Sequence, residues 1–202
     1  MPKLWSATIE QHRSAVFDAI LDATGHLVHR QGVSGLTMTA LAESAGVGRA
    51  TLYKYVPDCG AAIAAWQQRE MARHLSKLRA VAEASPAETR LDDVLEAYAR
   101  IRHHRHGRSD MDDLHGADRV APAEAELREL VGGIITEDAA AGRARMDIPT
   151  GELAAYAVAA VAAVYALPDM AAGRRIVSLV VETIRRRDVA APAPVGLSHQ
   201  VQ

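Results

Sequence analysis

The stretch Leu36–Val56, LTMTALAESAGVGRATLYKYV, decides the fold of this chain. It reads as two short helices joined by a glycine turn, because Leu41 and Ala45 are spaced to share one buried helical face. Thr37 can cap the first helix by accepting a hydrogen bond from an unpaired backbone N–H. Gly46 stands where the chain leaves that helix, a position that often requires a positive φ.

The second helix of the stretch is predicted to begin at Gly48 or Arg49. Leu52 and Val56 are four residues apart and are predicted to point inward together. The other positions of this helix face away from the core; they are Arg49, Ala50, Tyr53 and Lys54. Two helices, a short turn with glycine and polar groups at the start of the second helix describe a helix-turn-helix.

Residues 16–56 resemble the N-terminal domain of TetR-family regulators. The matching positions are Ile20, Leu21, Ala23, Leu27 and Gly32 in the first helix, and Ala42, Ala45, Gly46, Val47, Thr51, Leu52 and Tyr53 in the signature. Three positions depart from the family pattern. Val56 stands for the usual Phe, Gly48 for a capping Ser, and Asp58-Cys59-Gly60 occupies the place of a Lys that holds a DNA phosphate.

The resemblance implies which side chains contact double-stranded DNA. Base edges are expected to be read by Arg49, Ala50 and Tyr53, with a guanidinium suited to guanine O6 and N7. Phosphate contacts are expected from Thr37, Thr39, Thr51, Lys54 and Tyr55, and such contacts fix register without specifying sequence. The alternative is a helical hairpin whose exposed side chains only face water.

Charge gives little support of its own for DNA binding. The 202-residue chain has a formal net charge of −2, and residues 1–57 hold five basic and four acidic side chains. The local arrangement is more informative, since no acid lies between Ala45 and Pro57, where the groove-facing helix is predicted. The DNA-binding interpretation therefore rests on motif geometry and not on bulk charge.

The rest of the chain predicts an all-α fold, a three-helix helix-turn-helix domain followed by a ligand-binding and dimerisation bundle. No strand pattern appears, and the domains are predicted at 1–57, 58–187 and a disordered tail at 188–202. The elements expected beyond the motif are an arm at 1–8 and helices at about 9–30, 58–84, 85–104 (opened by a Ser85–Glu88 capping box), 122–142, 150–167 and 169–187.

The last two predicted helices are apolar on nearly all faces. Ala154–Leu167 is fourteen apolar residues in a row, too short to cross a bilayer, and we interpret it as a buried helix. A helix without a polar stripe must be covered on both sides, which predicts a homodimer through these two helices. The alternative is a fully internal helix in a monomer. The family's four-helix dimer interface agrees with the dimer.

An effector site is predicted from aromatic residues in a chain where only 4% of residues are aromatic. Trp66, Tyr98 and Tyr156 fall on three helices that the family packs around its pocket. Arg102 follows Tyr98 by four residues and can anchor an anionic group. The predicted effector is a small organic molecule that is apolar and can carry an anionic group. The alternative is that the aromatic residues are ordinary core and that Arg102 faces water.

The sequence also offers a metal site and a redox-sensing cysteine, and each has a plainer interpretation. His103, His106 and His115 with neighbouring Asp residues invite a metal site, but interleaved arginines would repel a cation, and a solvated, polar helix end and loop is the favoured interpretation. Cys59, beside a helix N-terminus, suggests a redox sensor, although a lone cysteine is more often inert. One cysteine and the absence of a signal-peptide pattern suit the cytoplasm.

The sequence therefore predicts a transcriptional regulator, a repressor by resemblance, that a small molecule releases from its operator. Neither an enzyme motif nor a cofactor-binding pattern appears. Two alternatives remain: a metal-responsive sensor, or a small-molecule-binding bundle whose helix-turn-helix is only structural.

Overall fold

The computed structural model describes residues 3–104 and 117–185, with side chains from 9 to 103 and from 122 to 185. In this part of the chain, the regular secondary structure is helical apart from one isolated bridge between Ala144 and Arg185. Its helices are α1 (Lys3–Gln31), α2 (Met38–Ala45), α3 (Arg49–Tyr55), α4 (Cys59–Ala84), α5 (Arg90–His104), α6 (Ala117–Ala140), α7 (Thr150–Ala162), a 3₁₀ turn (Ala163–Ala166) and α8 (Met170–Ile184). The predicted all-α class is confirmed. The predicted tail at 188–202 lies outside the described residues.

The chain forms two compact units. Among the described residues, the first comprises 3–80 and 117–127, and the second comprises 81–104 and 128–185. Both α4 and α6 contribute to each unit. The predicted domain boundary at residue 57 stays a prediction.

The core of the first unit is built by α1 to α4. Ile20, Leu41 and Leu52 are fully buried at its centre, as the helical spacing predicted. The remaining buried members are Leu21, Ala23, Leu27, Val28, Leu36, Ala42, Val56, Ala62, Ile63 and Trp66. This packing fixes α3 against α1 and α2 and leaves the opposite face of α3 open.

Two predicted helix starts need correction. Helix α1 begins at Lys3, so the predicted arm at 1–8 is helical over most of its length. The predicted capping box at Ser85 does not begin α5, because the Thr89 N–H donates to the Pro86 carbonyl (3.2 Å) in a turn. The first helical bond of α5 runs from the Asp93 N–H to the Thr89 carbonyl (2.9 Å), and the helix begins at Arg90.

Helix α6 also starts earlier than predicted. It begins at Ala117, so Pro122 lies inside the helix and does not open it. A proline near a helix start is tolerated because the first four N–H groups have no intrahelical partner. Pro122 is the sixth residue of α6, just beyond those four, so its missing N–H removes one intrahelical bond.

The long apolar helix predicted over residues 154–167 is divided. Helix α7 ends at Ala162, and residues 163–166 tighten into a 3₁₀ turn. The carbonyl of Ala162 accepts a hydrogen bond from Arg102 Nε (3.3 Å). A Cβ on Gly173 of α8 would lie 2.9 Å from Val164 Cγ1, so the turn packs closely against α8. These long-range contacts account for the break.

Helix α8 is not apolar on nearly all faces. It begins after Asp169, whose carboxylate accepts a hydrogen bond from the Ala172 N–H (2.7 Å), as the Pro168-Asp169 stop suggested. Its buried face includes Val177, Val181 and Ile184. An opposite, exposed stripe surrounds one apolar side chain; its members are Arg174, Arg175, Ser178, Leu179 and Glu182.

Candidate DNA-binding and effector sites

The turn between α2 and α3 has the geometry that the sequence predicted. The Thr37 side chain accepts a hydrogen bond from the Ala40 N–H (3.1 Å) at the start of α2. Gly46 ends α2 with φ of 67°, a conformation that favours glycine because other residues carry a Cβ. Gly48 precedes α3 and supplies no side-chain cap. The turn thus places the first residue of α3 at the protein surface.

The outward face of α3 is basic and unobstructed. Arg49, Ala50, Tyr53 and Lys54 are exposed, while Leu52 on the same helix is buried. Within the described side chains, neither Arg49 nor Lys54 is paired with a carboxylate. Two unpaired cations on one exposed helical face can donate hydrogen bonds to negatively charged oxygens.

The predicted phosphate contacts surround this face. Thr37 and Thr39 are exposed on α2, and Thr51 is half-buried on α3. The Thr37 hydroxyl accepts a bond in its capping role and keeps a proton to donate. Tyr55 is half-buried because its ring stacks on Phe17, with centroids 6.1 Å apart and ring planes at 17°.

The Asp58-Cys59-Gly60 segment begins α4. Asp58 caps it, since its carboxylate accepts a hydrogen bond from the Ala61 N–H (2.7 Å). The Cys59 thiol lies 3.5 Å from the Leu36 carbonyl and donates to it. Burial, and next the charge of Asp58, raise the pKa of this thiol. A reactive thiolate is therefore disfavoured, which argues against the redox-sensor interpretation.

The four predicted effector residues are divided between the two units, with Trp66 in the first and Tyr98, Arg102 and Tyr156 in the second. Trp66 is 5% exposed and belongs to the core of the first unit. Arg102 lies over the ring of Tyr165, 5.5 Å from its centroid, and donates to the Ala162 carbonyl. Tyr98 is half-buried, and Tyr156 is 41% exposed. Their role toward an effector stays a prediction.

A cavity of about 750 Å³ lies along α4 in the first unit. Its wall on α4 is mostly alanine and other apolar side chains, and α6 contributes three residues. Its lining is Ala61, Ala64, Ala65, Gln67, Gln68, Met71, Ala72, Leu75, Arg79, Pro122, Ala123 and Glu126. Arg79 and Glu126 form an ion pair of 2.9 Å between the two walls. None of the four predicted effector residues lines this cavity.

The predicted metal site lies only partly within the described residues. His103 is on α5, whereas His106 and His115 lie outside the described residues. Among the side chains that the structure describes, no three of His, Cys, Asp and Glu are placed to share a metal ion. In the same part of the chain, no helix is both long and apolar enough to cross a membrane.

The family model of bacterial regulatory proteins of the tetR family matches residues 20–57. This match covers the second half of α1, all of α2 and α3, and the turn that exposes Arg49. Residues 20–57 are therefore similar to the DNA-binding domain of tetR-family regulators. No match was found among curated protein sequences.

Solved structures share the fold of this chain. A TetR/AcrR-family transcriptional regulator from Thermobifida fusca is 16% identical, covers 84% of this chain and 98% of its own, and has a TM-score of 0.71. The fatty acid degradation regulator FadR from Bacillus halodurans is 18% identical, with coverage of 82% and 94% and a TM-score of 0.63. The transcriptional regulator FadR from Bacillus subtilis, in complex with stearoyl-CoA, is 13% identical, with coverage of 85% and 99% and a TM-score of 0.62.

Two features of the structure were not predicted from the sequence. One is the cavity, whose spaced alanines at 61, 64, 65 and 72 were visible as a small-residue stripe on α4. The other is the contact of Arg69 on α4 with Asp18 and Asp22 on α1. The four-residue spacing of the two acids gave a signal, but the sequence offered no means of choosing their partner.

Proposed function

We propose that this protein is a homodimeric repressor that binds operator DNA through α3 and is released from it by an apolar small molecule. The observation that carries the proposal is the exposed face of α3, with Arg49 and Lys54 unpaired among the described side chains. The tetR-family match over the same residues supports a DNA-binding role for this face. Such a function belongs in the cytoplasm, where the DNA target lies.

In this proposal the residues of α2 and α3 divide their tasks. Arg49 donates two hydrogen bonds to a guanine, and Ala50 and Tyr53 pack against neighbouring bases. Phosphate oxygens are held by the remaining exposed or half-buried polar side chains, Thr37, Thr39, Thr51, Lys54 and Tyr55. The start of α3 is open, since a Cβ added at Gly48 would meet nothing within 4 Å.

The effector is proposed to bind in the cavity along α4. A volume of about 750 Å³ falls in the range of roughly 300–1,000 Å³ that is usual for small-molecule sites. The alanine lining suits an elongated apolar molecule, and an anionic group on that molecule can replace Glu126 as the ion-pair partner of Arg79. One structural neighbour was solved with stearoyl-CoA, a molecule of this kind. We therefore propose a long-chain acyl compound as effector.

The homodimer is proposed to form through the outward faces of α7 and α8. On α7, Tyr156 is 41% exposed and Ala159 is also exposed, so this face remains largely apolar. On α8, Leu179 is 56% exposed between Arg175 and Glu182. A two-fold axis brings the same patch of two copies together, which lets these opposite charges pair across it.

Release of DNA is proposed to follow from a shift between two conformations. Two half-sites on one face of DNA are separated by about 34–36 Å, so the two α3 helices of a dimer must match that spacing. An effector that binds better to a dimer of another spacing lowers its DNA affinity. Helix α4 is the element through which we expect this change to pass, because it follows α3 directly and lines the cavity.

The test uses a DNA site that the protein selects from random sequences, with palmitate and stearoyl-CoA as probes. Anisotropy of labelled DNA should show release by at least one probe. Ala72→Phe fills the cavity and should raise the probe concentration needed for release at least tenfold, with DNA affinity unchanged. Ala80→Phe is the matched control, because Ala80 is also exposed on α4 but does not line the cavity. Equal responses of both variants would contradict the effector site.

A further inference from the structure

Helix α4 is attached to α1 by an arginine that reaches two carboxylates. Arg69 Nη1 donates to the Asp18 carbonyl (3.1 Å) and to Asp18 Oδ1 (3.3 Å), and Nη2 donates to Asp22 Oδ1 (2.6 Å). Asp18 and Asp22 are one helical turn apart, so the planar guanidinium spans both. Only 13% of the Arg69 side chain is exposed.

Next to this ion-pair cluster, the indole of Trp66 on α4 packs into a notch in α1. The notch is Gly25, where an added Cβ would lie 2.6 Å from Trp66 Nε1. The ring of His29 meets the indole edge to face, with centroids 5.5 Å apart and planes at 84°. The four α1 positions 18, 22, 25 and 29 form one helical stripe, and Trp66 and Arg69 share one face of α4.

The arginine contact is less complete than the packing beside it. Arg69 Nε is buried, and within the described residues it has no hydrogen-bond partner; Glu70 Oε1 lies 4.0 Å away. The carboxylates of Asp18 and Asp22 are exposed and can be hydrated if the arginine leaves. Separation therefore lets water reach Nε and both acids, which makes this contact one that can open without unfolding the core.

The same helix carries the cavity on a neighbouring face. Ala65, Gln68 and Ala72 line the cavity, and they lie about 100° around α4 from Trp66 and Arg69. A molecule that pushes on the cavity face turns or shifts α4 against α1. The two faces are linked because they belong to one rigid helix.

We propose that Arg69 is the positioning residue that holds α4 against α1 in the DNA-binding arrangement, and that the effector acts by opening the contact of Arg69 with Asp18 and Asp22. This inference rests on the proposed function and specifies its regulation. The protein binds DNA when the Arg69 contact is closed. Opening the contact therefore lowers operator affinity and raises effector affinity by the same factor.

The test compares two ways of breaking the contact. Arg69→Gln should lower operator affinity about tenfold, and stearoyl-CoA should release the DNA at a correspondingly lower concentration. The double variant Asp18→Asn, Asp22→Asn should also bind DNA about tenfold more weakly. This result is diagnostic because loss of two negative charges would by itself strengthen DNA binding. Combining all three substitutions should weaken binding no further than Arg69→Gln does.

The matched control is Arg73→Gln. Arg73 lies one turn further along α4, is paired only with Glu70 of the same helix (2.8 Å) among the described residues, and carries the same charge. It should leave operator affinity and effector response unchanged. Equal behaviour of the Arg69 and Arg73 variants, or tighter DNA binding by the Asp double variant, would overturn the role of Arg69 alone. Failure of the unaltered protein to select any DNA sequence would overturn the proposed function, and this inference with it.

Discussion

Arg49→Ala should weaken sequence discrimination by the protein while leaving the fold intact. Arg49 is the first residue of α3, exposed, and not paired with an acid among the described side chains. A surface substitution of this kind changes folding stability by no more than about 0.5 kcal/mol. Any larger effect must therefore appear in the DNA complex.

The size of that effect follows from one bidentate contact per protomer. Loss of an arginine–guanine pair costs about 1–3 kcal/mol of discrimination, or roughly 5- to 150-fold in affinity. A two-fold dimer carries the residue twice, so the loss for the complete operator is about 2–6 kcal/mol if the half-sites act independently. Binding to random DNA should fall far less, because it depends on phosphate contacts.

The assay is fluorescence anisotropy on a selected site and on random DNA of equal length, between 50 and 200 mM salt. Lys54→Ala is the comparison: it should weaken both complexes alike and reduce the salt slope by about one per protomer. Circular dichroism and thermal unfolding should be unchanged in both variants. If Arg49→Ala weakens both DNAs equally, Arg49 contacts only phosphate and the assignment of base reading to it is refuted.

Three other perturbations test the packing. Leu179→Arg, at an exposed position of α8, should give a folded monomer in sedimentation, whereas Val161→Arg should unfold the bundle because Val161 is fully buried; a folded dimer of Leu179→Arg would place the interface elsewhere. Iodoacetamide should alkylate Cys59 more slowly in the native protein than in urea at pH 7.5, because the native thiol pKa is raised; equal rates would contradict that environment. Gly25→Ala should lower the free energy of unfolding by about 1–3 kcal/mol through its clash with Trp66, partly offset by a gain of up to about 1 kcal/mol from the better helix propensity of alanine. Urea unfolding measures the change, and unchanged stability would show that the notch is not tight.

The parts of the fold that could be predicted depend on local chemistry. Thr37 caps α2 and Gly46 adopts a positive φ because the residue types at those positions suit those conformations. The inward position of Leu52 follows from helical spacing within seven residues. These signals are contained in the sequence itself, and the family match covers the same region.

The features that were missed depend on contacts between distant residues. Helix α7 ends at Ala162, whose carbonyl accepts a hydrogen bond from Arg102, a residue sixty positions away. Arg69 pairs with Asp22, which is forty-seven positions away, and a single sequence does not say which basic side chain pairs with which acidic one. Periodicity gave the faces of each helix but not its neighbours, so it did not reveal the cavity along α4.

The central claim, that the exposed face of α3 reads DNA as part of a homodimer, is tested most directly by selection from random DNA followed by footprinting. The account predicts an enriched inverted repeat, with two protected half-sites whose centres are one helical turn of about 10–10.5 base pairs, or a multiple of it, apart. Arg49→Ala should lose the enrichment at one base pair in each half-site. Recovery of no preferred sequence, or of a single unpaired half-site, would contradict the claim.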